Sequence, residues 1–406
     1  MNFGINSQRL QDRLAALGRI GALAGGGVSR LALTDEDKAG RDLVVGWMQD
    51  LDLTLHIDGI GNVVATRAGL EDSTPVMTGS HIDTVRTGGL YDGNLGVLAG
   101  LEIITTLNER GVTTRRPLAV AFFTNEEGAR FAPDMMGSQV YQGGLALADA
   151  LATIGIDGSS VAENLARIGY CGDASRVDNQ VHAFVELHIE QGPVLEREGI
   201  TIGAVEGVQG ISWTEFTLTG VSNHAGTTPM NLRHDCAFVT GAMTQYVRML
   251  TQKIPGQLAT VGHIRLFPDL INVIPNKAQF TVDLRNTDNQ RLQLAEQQVH
   301  QFLEKTAAQE GVTFTHRSLA RFDPVQFDST LVNRVEATAK QLGHSVRRLP
   351  SGAGHDAQML ARICPAAMIF VPSVNGVSHN VTEYTNPEDI EAGANVLLQM
   401  LLQLSA

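Results

Sequence analysis

The sequence predicts an α/β fold with a smaller domain inserted into it, and two observations lead there. Short apolar runs, Pro75–Ser80, Leu118–Thr124 and Ala183–Leu187, are each followed by a polar cluster, the pattern of strands buried on both faces of a sheet. From about 211 to 324 the rhythm changes to six elements in the order β-α-β-β-α-β, the split unit of a ferredoxin-like domain. Within the first pattern, Leu95–Asn108 is apolar and long enough for a crossover helix that ends near Gly111. The insertion reads as strand Ile211–Leu218, helix Asp235–Gln252, strands Thr260–Leu266 and Ala278–Leu284, helix Asn289–Gln309 and strand Val312–Thr315. Helix Ser329–Leu342 and strand Ala366–Val371 then resume the first pattern, and the amphipathic helix Ile390–Leu404 closes it. The larger domain is therefore expected over 1–210 and 325–406, and the inserted one over 211–324.

Composition bounds the function. The 406 residues are 43% hydrophobic and 18% charged, which is globular and excludes intrinsic disorder. Lys and Arg number 30 against 43 Asp and Glu, a net charge of -13, so nucleic acid and anionic membranes are not expected partners. No window approaches the ~18 consecutive apolar residues of a membrane span. Cys171, Cys236 and Cys364 form no CxxC pair, so neither a disulfide framework nor a thiolate zinc site is expected. The N-terminus lacks a basic leader, and the cytoplasm is the expected compartment. A serine-hydrolase elbow is absent. Gly59-Ile60-Gly61 lacks the later glycine of a dinucleotide fingerprint and reads as a turn.

Five polar clusters follow strand-like runs: Ser80-His81-Ile82-Asp83, Tyr91-Asp92-Gly93, Asn125-Glu126-Glu127-Gly128, Glu186-Leu187-His188-Ile189-Glu190-Gln191-Gly192 and Ser378-His379-Asn380. In open α/β sheets such strand ends converge on one crevice. Imidazoles and carboxylates without thiolates suit Zn, Mn, Co or Ni. A strand period of two would point His81 and Asp83 the same way, so that the Asp83 carboxylate orients a ligating imidazole. The adjacent Glu126 and Glu127 can divide two tasks, one holding metal and the other serving as general base. Any one cluster alone is more often a cap or a solvated loop; the ordered set, spaced 11, 35, 61 and 191 residues apart from His81 through Asp92, Glu127 and His188 to His379, carries the weight.

These motifs, together with Ser222-Asn223-His224-Ala225-Gly226, Asn272-Val273-Ile274-Pro275, Gly352-Ala353-Gly354-His355-Asp356 and Gly376-Val377-Ser378-His379-Asn380, resemble the hydantoinase/carbamoylase-type amidases of the two-metal M20 peptidase superfamily. The likeness runs nearly end to end. It implies a two-metal aminopeptidase-like catalytic domain with a lid or dimerisation domain inserted. It implies that His81, Asp92 and His188 hold one divalent ion and Asp92, Glu127 and His379 a second, with Glu126 as general base and Asp83 orienting His81. It further implies that His224 reaches the active site of the other subunit of a homodimer to support the oxyanion. Arg285 would grip a substrate carboxylate, and Gln191, Asn272 and the main chain of Ala353 and Gly354 would add contacts. His355 is left out of the ligand set.

The resemblance also implies a substrate class. Peptidase relatives generally present a carboxylate where this chain has His188, whereas the carbamoyl-type amidases have a histidine followed by Ile-Glu-Gln-Gly, as here. A small-molecule ureido acid is therefore expected, an N-carbamoyl-L-α-amino acid first, with allantoate or N-carbamoyl-β-alanine as alternatives. Glu186 or Glu190 as the ligand in place of His188, a peptidase or aminoacylase activity, and a non-catalytic binding protein are the competing readings.

Overall fold

The computed structural model describes residues 3–173 and 180–406. Two compact units result, residues 1–207 with 326–406, and residues 208–325. The second unit thus begins three residues before Ile211 and ends one residue after 324.

In the first unit the strands before the insertion are β1 (Thr54–Ile57), β2 (Val63–Arg67), β3 (Val76–His81), β4 (Leu118–Phe123), β5 (Ala183–Ile189) and β6 (Ile202–Val208). The insertion contributes β7 (Gly210–Thr219), β8 (Leu258–Phe267), β9 (Lys277–Asn286) and β10 (Thr313–Phe322). β11 (Val325–Gln326), β12 (Val346–Ser351) and β13 (Ala366–Val371) follow. One sheet runs β1-β2-β4-β3-β5-β13-β6-β11, with β12 pairing β6. Its centre, β4-β3-β5-β13, is parallel, and all four of these strands are buried along their length. Burial on both faces explains their near-continuous apolar sequence.

Helix Asn94–Glu109 makes the β3 to β4 crossover and is buried from Asn94 to Leu107, so it is apolar all round instead of striped. Gly100 lets it lie close to the sheet, because a Cβ there would come within 2.9 Å of Thr78 Cγ2. The chain passes from β3 to β4 on one side and returns to β5 on the other. That reversal leaves a crevice at the carboxyl ends of β3 and β5.

The second unit is an antiparallel sheet ordered β10-β7-β9-β8 with helices Cys236–Lys253 and Asn289–Glu310, the ferredoxin-like arrangement. Alternate residues of β9 (Ala278, Phe280, Val282, Leu284) meet Val239, Met243 and Val247 of the first helix and Leu292, Ala295 and Val299 of the second. Phe216 and Phe280 stack with centroids 5.3 Å apart at the middle of this core. Phe280→Ala should therefore cost about 3–5 kcal/mol. Urea unfolding followed by hydrogen exchange should place the loss of protection in residues 208–325.

Candidate active site

The carboxyl ends of the four parallel strands gather the predicted residues of the first unit. His81 is the last residue of β3, His188 the penultimate residue of β5, the Glu126-Glu127 pair follows β4, and His379 lies on the loop after β13. Asp92, just before helix Asn94–Glu109, sits among the imidazoles. Its Oδ1 is 3.5 Å from His81 Nε2 and 3.2 Å from His188 Nε2. Its Oδ2 is 3.5 Å from His379 Nε2, which in turn is 3.2 Å from Glu127 Oε2. His81, Asp92 and His188 form one group of converging ligand atoms, and Asp92, Glu127 and His379 a second.

These residues fit divalent ions by spacing and by tautomer. Two ligands at ~2.0–2.1 Å from a tetrahedral ion are separated by ~3.3 Å, within the range found. His81 Nδ1 lies 2.9 Å from the Asp83 carbonyl and His188 Nδ1 2.9 Å from the Ile189 carbonyl. A carbonyl only accepts, so each Nδ1 carries the proton in the neutral ring and each Nε2 turns a lone pair toward Asp92.

Electrostatics mark the same place. Burial would lower His81, yet the Glu126, Asp92 and Asp83 carboxylates raise it well above the usual imidazole range. Hydrogen bonds that it donates to Asp92 and Glu127 push His379 up to about 10. Burial pushes Glu126 well above the ordinary carboxylate range, helped by Asp356 and Glu127 and opposed by His81. Asp92 goes the other way, because three imidazoles overcome its burial. A cavity of about 110 Å³ opens here, lined by Glu126, Glu127, His188, His379, Ala353 and Gly354 among others.

Asp83 differs from the expectation in how it reaches His81. The strand ends at His81, so the two-residue alternation stops there and the Asp83 carbonyl, not its carboxylate, holds the ring. The carboxylate instead accepts from the backbone N–H groups of Glu126 (3.2 Å) and Glu127 (3.4 Å), tying the β3 loop to the β4 loop. Gln191 also differs: its Nε2 donates to Asp92 Oδ2 at 2.8 Å while Oε1 is buried without a partner. Asn125, Gln191 and His379 have φ of +55°, +56° and +53°. Left-handed conformations are uncommon for non-glycine residues and cluster where function holds them.

Sequence reasoning missed Glu383 and gave Glu186 only the part of an alternative ligand. Glu383 Oε1 accepts from the N–H groups of Tyr91 and Asp92 (3.1 and 3.2 Å), and Ser378 Oγ lies 2.9 Å from both Glu383 Oε2 and Asp92 Oδ2. Four residues beyond His379, Glu383 carried no spacing signal. Glu186 is wholly buried; its oxygens accept from Ser80 Oγ (2.6 Å) and the Ala357 N–H (2.8 Å). Glu186 and His355 also come within ligating distance of His188, but Glu186 is committed to those bonds and His355 Nε2 meets Ser351 Oγ at 2.9 Å. Ala353 donates its N–H to the same hydroxyl (3.1 Å), whereas Gly354 packs its bare Cα against Met135.

The second unit holds the other three predicted residues. His224 Nδ1 accepts from the N–H groups of Gly226 (3.0 Å) and Thr227 (3.2 Å), which places the proton of the neutral ring on Nε2 as an outward donor. The loop of Asn272 lies beside it, the Asn272 carbonyl accepting from the Ala225 N–H at 2.9 Å. Arg285, about a quarter exposed, pairs with Asp283 on the same face of β9 at 3.0 Å.

Gly93 is the local requirement of the centre. Its φ is +67°, and a Cβ there would lie 2.4 Å from His81 Cε1 and Nε2. Gly93→Ala should cost about 1–2 kcal/mol from backbone strain alone and turn the His81 ring aside. Thermal unfolding should show a shift of a few degrees, while equilibrium dialysis against Zn2+ should show uptake reduced tenfold or more.

Comparison with known proteins agrees with this geometry. The chain is 41% identical over 404 residues to an N-carbamoyl-L-amino-acid amidohydrolase of Rhizobium meliloti, covering 99% of this chain and 97% of that protein. It is 39% identical to a protein of the same activity name from Geobacillus stearothermophilus, with 99% of each covered, and 35% identical to an allantoate amidohydrolase of Bacillus subtilis, with 98% and 97% covered. A crystal structure of a hydantoinase/carbamoylase-family amidase from Burkholderia multivorans superimposes with a TM-score of 0.96 at 44% identity, covering 99% of this chain and 98% of that one. Residues 77–403 match the model of peptidase family M20/M25/M40, and the chain belongs to that family.

Proposed function

We propose that this chain hydrolyses the ureido C–N bond of an N-carbamoyl-L-α-amino acid, releasing the amino acid, carbon dioxide and ammonia. The observation that carries the reading is the pair of ligand groups sharing Asp92, with Glu126 beside them, in a chain 41% identical along its length to a protein named for that activity. Two divalent ions, Zn or Mn, Co or Ni, would be held by His81, Asp92 and His188 and by Asp92, Glu127 and His379; when bound they acidify water and offset charge developing on the carbonyl.

The chain's own groups do the rest. Glu126, with Oε2 3.5 Å from His81 Nε2, takes the proton of the attacking water and delivers it to the departing nitrogen. Its burial favours this exchange, since a carboxylate raised well above its ordinary range is a stronger base toward the water proton. Asp83 keeps the Glu126 and Glu127 backbone in place. His224, presenting Nε2–H, donates to the oxyanion. Arg285 exchanges Asp283 for the substrate carboxylate, which its planar fork can grip at two points. Gln191, Asn272 and the main chain of Ala353 and Gly354 supply the remaining hydrogen bonds. The Bacillus subtilis relative supports allantoate as a second substrate, which would use the same ions and carboxylate anchor.

We further propose a homodimer in which His224 serves the partner's centre, and residence in the cytoplasm. Cys171, Cys236 and Cys364 are unpaired, which fits a reducing compartment. No helix among the described residues is long and apolar enough to cross a membrane.

Ammonia release from N-carbamoyl-L-α-amino acids should exceed that from N-carbamoyl-β-alanine and allantoate, with no amino acid freed from N-acetyl substrates. Glu126→Gln should lower kcat by about 10²–10⁴ with metal content unchanged, and chelation should abolish turnover until a divalent ion is restored. A faster reaction with allantoate would move the substrate; amino-acid release from N-acetyl compounds alone would refute the ureido reading. Mixing His224→Ala with Glu126→Ala protein should recover part of the activity through hybrid dimers, and no recovery after proven subunit exchange would refute shared sites.

A further inference from the structure

Arg30 is one of the largest side chains with no solvent exposure, and no described carboxylate forms an ion pair with it. A buried cation without a salt bridge is costly unless its N–H groups are satisfied. Arg30 satisfies them at four points. Nε–H donates to the Ile82 carbonyl at 2.7 Å, and Nη1 donates to the carbonyls of Leu17 (3.1 Å) and Ile20 (3.0 Å). Nη2 donates to Asn94 Oδ1 at 2.8 Å. Its backbone N–H donates to Thr84 Oγ1 at 2.8 Å, and its carbonyl accepts from the Thr84 N–H at 2.9 Å. Gly40 makes room for it, since a Cβ there would meet Arg30 Cδ at 2.8 Å.

Two of these partners belong to the loops that carry the proposed metal ligands. Ile82 lies between His81 and Asp83, and the Asp83 carbonyl is what fixes the His81 ring. Asn94 donates its backbone N–H to the Asp92 carbonyl at 2.7 Å and its Nδ2 to the Leu90 carbonyl at 3.2 Å. One planar group therefore holds the end of β3 and the Asp92 loop at a fixed separation. Burial draws Arg30 down to about 10, against the attraction of Asp37 and Asp83, so it keeps its charge at neutral pH beneath a carboxylate-rich centre. Arg41, the other large buried arginine, has its own carboxylate, Asp37, at 2.8 Å, and its other bonds go to Gly61 and to Thr124 after β4, not to the His81 or Asp92 loops.

We infer that Arg30 is the positioning residue of the metal centre, setting His81 and Asp92 at ligating distance by bridging the Ile82 carbonyl and the Asn94 side chain. The inference rests on the two-ion reading above and adds a residue to it. A lysine keeps the charge but cannot span four acceptors in one plane.

The test is calorimetric titration of the metal-free full-length protein with Co2+, alongside its visible absorption spectrum, for the parent, Arg30→Lys and Asn94→Ala. Near-UV circular dichroism and the Tm of the metal-free proteins report folding. Both variants should bind Co2+ about 10–100-fold more weakly, the size expected when a group that orients a ligand is lost, and with an altered spectrum. Their kcat should recover as free Co2+ is raised, with KM unchanged. Folded variants that bind Co2+ with the parent's affinity and spectrum would overturn the assignment and leave the metal reading intact. A parent that binds no divalent ion would overturn both. If Arg30→Lys does not fold, Asn94→Ala decides, because it breaks one link of the bridge and leaves the guanidinium in place.

Discussion

The Asp92 carboxylate is the constraint on which the candidate centre depends. One oxygen faces His81 and His188 and the other faces His379, so its position decides whether two groups of ligands exist or none. A buried carboxylate costs several kcal/mol unless it is paired. Here the Gln191 amide and the Ser378 hydroxyl donate to it, and a positive charge among the three imidazoles offsets the rest. The supporting parts follow from this need: a glycine beside it so that His81 can approach, Glu383 to hold its backbone, and strained backbone at Gln191 and His379 to aim their side chains.

Around that carboxylate the protein has arranged proton positions by choosing hydrogen-bond partners. Carbonyl oxygens beside His81 and His188 fix the proton on Nδ1 and free Nε2 to ligate. Backbone N–H groups beside His224 do the reverse, leaving Nε2–H as a donor. The same residue type thus serves opposite purposes because one neighbour accepts and the other donates. Glu126 and Glu127 are likewise adjacent in sequence yet differently placed in the fold. Glu127 faces His379, whereas Glu126 faces His81 and is held well above the ordinary carboxylate range by its burial.

The polar layer under the site is as specific as the site itself. Ser80, Glu186 and the Ala357 N–H join β3, β5 and the helix after His355 through one buried carboxylate, and Arg30 joins the Asp92 loop to the end of β3. Buried polar groups that are fully bonded admit few alternative packings, so such links fix the registration of strands whose apolar faces alone would tolerate sliding.

The sequence by itself determined the central strands, the crossover helix and the β-α-β-β-α-β insertion, and it singled out the imidazoles and carboxylates that the fold brings together. Each carries a local signal: a continuous apolar run, a change of rhythm, or a polar cluster of imidazoles and carboxylates after an apolar run. It was silent on β1, β2, β6 and β12, strands whose residues are not all apolar. It was silent also on helices Ser7–Gly18 and Asp35–Asp50. Only the tertiary structure decided that Asp83 works through its carbonyl toward His81 and its carboxylate toward the glutamate pair, because that depends on where β3 stops. Only it selected Glu383, Glu186 and Arg30, which bond to Tyr91, Ser80 and Ile82 at separations of 292, 106 and 52 residues. A motif lists what a short stretch can do, while these side chains act on groups that folding alone brings within 3 Å.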